Sequence, residues 1–319
     1  MTLAATGLLL NGLLVAVLGV RVLERRARQL TPGQAILAWA SAMAAVLISW
    51  FTAAGLAGVA LLRSGGHLHA FLLGCLSTLG VPTTGRYGEL MQDGVDSAVV
   101  LAVLAAVVLL GRFLFILARS RSRTHQHCAL ARLVSEPRPG PGGALLLDSS
   151  ERHVYCVAGR PAAIVVTQGA IDALDEAQLA AVLAHERAHL AERHHLLVAA
   201  SRGAAAILPH VRLLSVGAQA IAHYVEMRAD DLALRRHRGT VLIGALLALS
   251  DGGTLSNTVL SASSTGVVER VERLLLPACR RQRSSWAVPS LAVAALLAGP
   301  ALSMALLAAV ATLCQDILG

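Results

Sequence analysis

The chain has 319 residues, of which 55% are hydrophobic and only 14% are charged, and its formal net charge is +8. About a quarter of the residues in a soluble domain are charged, so this composition excludes an ordinary soluble enzyme and indicates a membrane protein. The arginine clusters flank apolar stretches and few aromatic residues accompany them, so no direct nucleic-acid binding is expected.

Four apolar stretches approach or exceed the roughly 20 residues that a helix needs to cross a bilayer. They cover residues of about 3–22, 35–62, 97–117 and 287–313. Arginines follow the first stretch rather than precede it, so we interpret it as a span and not as a secretory signal peptide. The sequence therefore predicts a multi-pass α-helical membrane protein, with three spans before a long central region and one after it.

Arginines in short loops mark the cytoplasmic side of a membrane protein. They follow the first span, end the third and precede the fourth: Arg21, Arg25, Arg26, Arg28, Arg112, Arg119, Arg121, Arg123, Arg280, Arg281 and Arg283. The loop between the second and third spans contains more acidic than basic residues. We therefore expect a plasma-membrane protein with both termini outside the cell and the central region in the cytoplasm.

Two further apolar stretches are harder to assign. Residues 68–81 are too few to span a bilayer, and we expect them at the outer interface. Residues 196–221 contain Arg202, Pro209 and Arg212. We interpret this stretch as helices that pack on the central domain or dip into the inner leaflet, with a membrane hairpin as the alternative.

The central region, residues 119–285, is long enough for one domain with its own core. From Asp172 onward its pattern is helical, and residues 250–265 are interpreted as a mobile loop or lid. Three short apolar runs near its start have the length of strands: 144–147, 153–158 and 163–167. The sequence thus predicts a mainly-α (α+β) domain.

The residues from His185 to His189 spell HERAH, an HExxH motif. Positions i and i+4 share a face of a helix, so both imidazoles can reach one metal ion. Glu186 lies beside the same site, where a carboxylate can act on water without being a ligand. Asp175 and Gln178 form a capping-box pattern ahead of the motif, and an apolar stripe follows at helical spacing: Leu179, Val182, Leu183 and Leu190.

A catalytic zinc ion takes three protein ligands, and two residues compete for the third place. His195 has the offset of the third histidine in HExxHxxGxxH, but that pattern needs a glycine where this chain has Glu192. We expect residues 190–200 to continue the helix, which turns His195 away from the metal. His194 and His195 are then polar helix residues or outer partners of a ligand.

The competing residue is Glu226, in the EMRAD sequence of residues 226–230. This resembles the ExxAD element of gluzincin membrane peptidases, in which the glutamate binds zinc. By that resemblance Asp230 accepts a hydrogen bond from a ligand histidine and fixes its tautomer. The expected ligand set is therefore His185, His189 and Glu226, whereas the alternative is a solvated helix face paired with nearby arginines.

The whole chain resembles the BlaR/MecR family of membrane zinc metallopeptidases. The resemblance rests on the segment IVVTQGAIDAL at 164–174, on HERAH and EMRAD, and on three spans before the domain with one after it. HtpX-type and CAAX-type membrane peptidases share the zinc motifs, although their span arrangement fits less well. Sensor receptors of the BlaR/MecR family carry an extracellular penicillin-binding domain after the last span, whereas this sequence ends at Gly319. We therefore expect any signal to enter through the outer loop at about 63–96, the spans or a partner.

The resemblance implies an enzyme with one Zn²⁺ per chain that cleaves cytoplasmic or membrane-associated proteins, such as a winged-helix repressor or itself. Glu186 is then the catalytic base, and His223 or Tyr224 is the second donor to the oxyanion. Residues 164–167 either hold substrate as an edge strand or form an ordinary core strand. The rival interpretation is a non-catalytic signalling or scaffold protein with a vestigial zinc site, against which the intact Glu186 argues.

Overall fold

A computed structural model describes residues 2–63, 86–136, 140–250 and 260–275, together with Ser290 and Val293. A π-helical turn, Val15–Gly19, joins the first two helices, and a 3-10 turn, Ala27–Gln29, follows them. The described helices and strands, in chain order, are α1 (Thr2–Leu14), α2 (Val20–Arg26), α3 (Pro32–Arg63), α4 (Arg86–Val134), β1 (Leu145–Leu147), β2 (Val154–Val157), β3 (Ala163–Thr167), α5 (Gln168–Ala173), α6 (Glu176–Ala191), α7 (His194–Ile207), α8 (Arg212–Ala233), α9 (Gly239–Ser250) and α10 (Leu260–Leu275).

Three described helical segments are long and apolar enough to cross a membrane: Ala4–Arg26, Pro32–Val59 and Ser97–Val134. They coincide with the first three predicted spans. The first two pack together, and Asn11 Nδ2 donates a buried hydrogen bond of 2.9 Å to Ser49 Oγ between them. The predicted fourth span at 287–313 lies outside the described residues except for Ser290 and Val293, and so does the stretch at 68–81.

Helix α4 runs for 49 residues and crosses the predicted domain boundary at residue 119 without a break. Its apolar side chains in the candidate span point outward, which is expected of a surface in contact with lipid. Its last turns pack beneath the sheet, where Cys128 is buried against Val157 and Val165. One helix therefore connects a candidate membrane span to the central domain.

The three predicted strands are confirmed, and they form one sheet in the order β1-β3-β2. β3 pairs in parallel with β1 and antiparallel with β2. The proposed edge-strand role of residues 164–167 is therefore wrong, because both sides of β3 are already paired. Near-continuous burial from Ile164 to Thr167 is typical of a central strand. β2 is the edge strand that contacts α6.

The predicted capping box at the start of α6 is confirmed, since Asp175 and Gln178 each accept a hydrogen bond from the other's backbone N–H. The predicted continuation of this helix through residue 200 is wrong. α6 ends at Ala191, Arg193 adopts a left-handed conformation with φ 53°, and α7 begins at His194. The side chains of Glu192 and His194 bond to each other and to neighbouring helices, which holds this turn in place.

The interpretation of residues 250–265 also needs correction. Helix α10 begins at Leu260, so the last part of that stretch is helical, while residues 251–259 lie outside the described part of the chain. Two arginines of α10 point into the domain and bind aspartates of α8. These ion pairs hold α10 against α8, although the first part of α10 contains few apolar residues.

Residues 196–221 form α7 and the first half of α8, and both pack on the central domain and on α3. Gly217 lies at the contact with α3, where an added Cβ would lie 2.7 Å from Met43 Sδ and 3.2 Å from Trp39 Cε3. One buried core therefore joins the hairpin formed by α1, α2 and α3 to the helices of the domain: Val20, Leu23, Ala27, Leu30, Ala35, Ala38, Trp39, Ala42, Met43, Val46, Ala204, Leu213, Leu214, Ile221 and Val225.

Replacing Gly217 with leucine should separate α8 from α3, because no space exists there for a side chain. Overpacking of this kind costs about 1–3 kcal/mol in the free energy of unfolding. Thermal unfolding in detergent measures the loss. The matched control is Gly55→Leu on α3, where nothing lies within 4 Å of an added Cβ. Equal stability of the two variants would contradict the tight α3–α8 contact.

Candidate metal centre

Helices α6 and α8 bring three potential metal ligands together. His185 and His189 lie one turn apart on α6, and Glu226 approaches them from α8. The two Nε2 atoms are 3.1 Å apart. Glu226 Oε2 lies 3.5 Å from His185 Nε2, and Glu226 Oε1 lies 3.6 Å from His189 Nε2. The structure thus brings together the three residues expected to bind zinc.

These separations fit a zinc ion. Ligand atoms about 2.0 Å from a tetrahedral zinc lie roughly 3.3 Å from one another, which is close to the three observed distances. Two imidazole nitrogens that face each other also need a proton or a cation between them, since each presents a lone pair. Two histidines and a glutamate are a usual ligand set of catalytic zinc sites.

The outer nitrogen of His185 supports the same conclusion. Nδ1 is buried and makes no hydrogen bond of good angle, yet it lies only 3.0 Å from Asp230 Oδ1. A metal on Nε2 fixes the proton on Nδ1, where this carboxylate can accept it after a small rotation of the ring. Asp230 therefore occupies the position expected of the residue that orients His185.

Asp230 is fully buried, and Arg270 of α10 neutralises it. Arg270 Nε donates to Oδ2 at 2.8 Å and Nη2 donates to Oδ1 at 2.7 Å. Burial by itself raises the pKa of Asp230, but the hydrogen bonds from Arg270 and the contact with His185 outweigh it and lower the pKa to about 2. Arg270 Nη1 also lies 3.5 Å from Glu226 Oε2. No sequence motif marked this arginine, because its partner is 40 residues away.

The pKa values of the two candidate ligand histidines are shifted in opposite directions. For His185, burial lowers the pKa, but the nearby carboxylates of Asp230 and Glu226 prevail and raise it to about 9. For His189, burial dominates and lowers the pKa to about 4. A metal ion that binds His185 must displace its proton, so we expect metal affinity to increase as the pH rises towards 9.

Glu186 lies beside the ligands and faces the edge strand β2. Burial raises the pKa of its carboxyl group, although His185 and the thiol and backbone N–H of Cys156 act in the opposite direction. Burial and the neighbouring Glu186 in turn raise the pKa of the Cys156 thiol to about 12, so it stays neutral. A carboxyl group with a raised pKa next to a metal site is suited to proton transfer.

A cavity of about 520 Å³ opens beside two of the three candidate ligands. His189 and Glu226 form one side, and residues 155–158 of the edge strand and the turn after it form a second. Arg123, Thr124 and His127 of α4 form a third side. The cavity therefore lies between the metal ligands, an unpaired strand edge and the helix that continues from a candidate membrane span.

Comparison with known proteins bears on the same region. The model of Peptidase family M48 matches residues 119–250, which include both motif helices. This match supports a zinc metallopeptidase family. It does not extend to the finer resemblance to BlaR/MecR peptidases. No curated protein and no solved structure matches the chain.

The two residues expected to donate to an oxyanion lie elsewhere in the structure. His223 and Tyr224 line a different cavity of about 840 Å³, on the side of α8 that faces α10 and the first hairpin. His223 Nε2 lies 3.5 Å from Glu269 Oε2 of α10. Tyr224 is about 200° around the helix from Glu226, so its side chain leaves on the opposite face. The structure does not bring either residue to the cavity of the metal ligands.

His194 and His195 separate at the turn between α6 and α7. His195 is exposed at the rim of the cavity and does not join the ligand cluster. His194 is buried, and its Nδ1 lies 3.1 Å from Nδ1 of His189, on the side away from Glu226. Helical periodicity in the sequence could not distinguish His194 from His195, because the left-handed conformation of Arg193 changes the direction in which the following side chains point.

Replacing Arg270 with glutamine should destabilise the protein by about 3–5 kcal/mol, since it leaves the buried Asp230 without its counter-charge. The control is Arg273→Gln on the same helix, because water can still reach its partner Asp231, whose side chain is 29% exposed, so the loss should be smaller. Thermal unfolding of both variants in detergent makes the comparison. Similar losses in the two variants would contradict a special role of the Asp230–Arg270 pair.

Proposed function

We propose that this protein is an integral-membrane zinc endopeptidase whose metal ligands are His185, His189 and Glu226. The observation that carries the proposal is the convergence of these ligands next to Glu186, at a cavity with an unpaired strand edge. A structural zinc site usually has four protein ligands and does not need a further carboxylate next to them. The arrangement therefore favours hydrolysis over a purely structural or vestigial site.

When bound, a zinc ion lowers the pKa of water and polarises a carbonyl oxygen. Glu186 supplies the proton transfer. A Glu186 carboxylate oxygen accepts a proton from the attacking water and later donates it to the leaving amine nitrogen. The raised pKa of this carboxyl group favours the first transfer, because a more basic carboxylate accepts a proton from water more readily.

The edge strand β2 is the proposed binding site for the substrate backbone. Thr167 N donates to His153 O, and hydrogen-bonded pairs alternate along an antiparallel ladder, so Tyr155 and Val157 bond to β3. The backbone groups of Val154 and Cys156 then face the unpaired side. An extended peptide can add to this side as a further strand, which places its backbone beside Glu186 and the ligands.

The substrate class is proposed from the resemblance to BlaR/MecR peptidases. We propose a cytoplasmic protein, such as a winged-helix repressor, or the enzyme itself, cleaved by a domain on the inner side of the plasma membrane. HtpX-type and CAAX-type peptidases provide the alternative of quality control or processing of membrane-associated proteins. The three apolar helices support residence in a lipid bilayer, and the arginine distribution supports the orientation.

Glu186→Gln should abolish proteolysis while leaving zinc bound, because the amide cannot accept a proton. The control is Glu176→Gln in the first turn of the same helix, which should retain wild-type activity. Zinc content and cleavage of casein and of the protein itself are measured on detergent-solubilised wild type and both variants. Full activity of Glu186→Gln would refute the mechanism, and absence of zinc from the wild type would refute the metal site.

Backbone methylation of a cleaved peptide tests the role of β2. A peptide from the casein digest is resynthesised with a single N-methyl group at successive positions on each side of the scissile bond. An added strand uses every second N–H of the peptide. We expect kcat/KM to fall about tenfold or more at alternate positions and to change little at those between them. A uniform effect along the peptide would argue against strand addition.

A further inference from the structure

His194 is a buried titratable residue that the proposed mechanism does not use. Its side chain is 4% exposed and contacts a metal ligand on one side and a carboxylate on the other. His194 Nδ1 lies 3.1 Å from His189 Nδ1, and His194 Nε2 lies 3.3 Å from Glu192 Oε2. A buried imidazole with both nitrogens in polar contacts has a defined tautomer.

One arrangement of protons satisfies these contacts when His189 is a ligand through Nε2. His189 then carries its proton on Nδ1 and donates it to His194 Nδ1. Because His194 accepts at Nδ1, its own proton lies on Nε2, where Glu192 Oε2 accepts it. Each hydrogen bond is thus donated in the same direction, from His189 through His194 to Glu192, and both imidazoles are neutral.

Glu192, the last residue of this chain of contacts, is bound by a residue of α8, the helix that carries Glu226. Arg228 Nη2 donates to Glu192 Oε1 at 2.7 Å, and Arg228 Nε lies 3.1 and 3.0 Å from Oε1 and Oε2. Arg228 stands two residues after Glu226 on α8. The contacts therefore connect the helix of the two histidines to the helix of the third ligand, through the turn between α6 and α7.

The conformation of that turn is what makes the connection possible. Arg193 has φ 53° and ψ 38°, a left-handed conformation that costs a residue with a side chain about 1–2 kcal/mol. A continuous helix would point residues 189 and 194 in directions about 140° apart. With the break at Arg193, His194 instead turns inward to contact His189.

We propose that His194 is a positioning residue for the metal ligand His189, acting in a relay that continues through Glu192 to Arg228. The relay holds the His189 ring at the rotation and in the tautomer that direct Nε2 at the metal. His185 has the simpler arrangement of a direct carboxylate, Asp230, in the same place. The proposal rests on the proposed function, because it requires that His189 bind zinc.

The relay is tested on the full-length protein in detergent by zinc affinity, measured through competition with a chromogenic chelator. Loss of the partner that orients a ligand weakens metal binding about 10–100-fold. We expect this loss for His194→Ala. His195→Ala is the matched control, since the neighbouring side chain is exposed and does not contact a ligand, and its affinity should stay within about twofold of the wild type.

His194→Gln distinguishes positioning from simple packing. The glutamine carbonyl can accept from His189 Nδ1–H while its amide group donates to Glu192, so this variant should recover most of the zinc affinity. Histidine ¹⁵N spectra provide a readout that is independent of activity. With zinc bound, the wild type should show His189 with its proton on Nδ1, and His194→Ala should lose that single, defined signal.

The outcomes separate this proposal from the proposed function. Wild-type zinc affinity in a folded His194→Ala variant would overturn the relay while leaving the peptidase intact, as would equal losses in His194→Ala and His195→Ala. The relay would also be overturned if His194→Leu bound zinc as tightly as the wild type while His194→Gln did not recover zinc affinity. A wild type that binds no zinc would overturn both the relay and the metal site.

Discussion

The contact between α6 and α8 is the constraint on which the rest of the site depends. Across it, two imidazoles and a carboxylate from distant parts of the chain come within 3.1–3.6 Å of one another. Small residues make the approach possible, since Ala181 on α6 and Ala233 on α8 are fully buried in one cluster. Larger side chains there would move the helices apart, and a metal site does not tolerate displacements of an ångström.

The position of α8 is set partly by the hairpin of α1, α2 and α3. Its first half lies in one core with α3, where Gly217 allows Trp39 and Met43 to approach the backbone. The opposite wall of the cavity is α4, which extends from a candidate span to the sheet without interruption. The metal centre is therefore built between helices that continue into, or pack on, apolar segments. Removal of those segments would take away part of the core of the domain.

Two pairs of an arginine and a carboxylate lie on the outer side of the candidate ligands. Asp230 and Glu192 are both paired with arginines through two-pronged hydrogen bonds, by Arg270 and Arg228 respectively. Because Asp230 is buried, its carboxylate would be harder to keep ionised without Arg270. Glu192 is exposed, so Arg228 mainly fixes the position of its carboxylate. The two arginines come from different helices, α10 and α8, so the arrangement also ties α10 to the domain.

Much of the site was determined by the sequence alone, because it depends on spacing within single helices. The i, i+4 spacing of His185 and His189, the capping box at Asp175 and the composition of the first three spans are local properties that periodicity reveals. Tertiary structure decided what depends on contacts between segments. The break at Arg193 turned His194 rather than His195 inward, strand pairing made β2 the edge instead of β3, and α10 supplied Arg270. Tyr224 differs from these cases, because helical spacing alone places it about 200° around α8 from Glu226. No spacing rule can report the outcomes at Arg193, β2 and Arg270, because each depends on which distant segment packs against the residue in question.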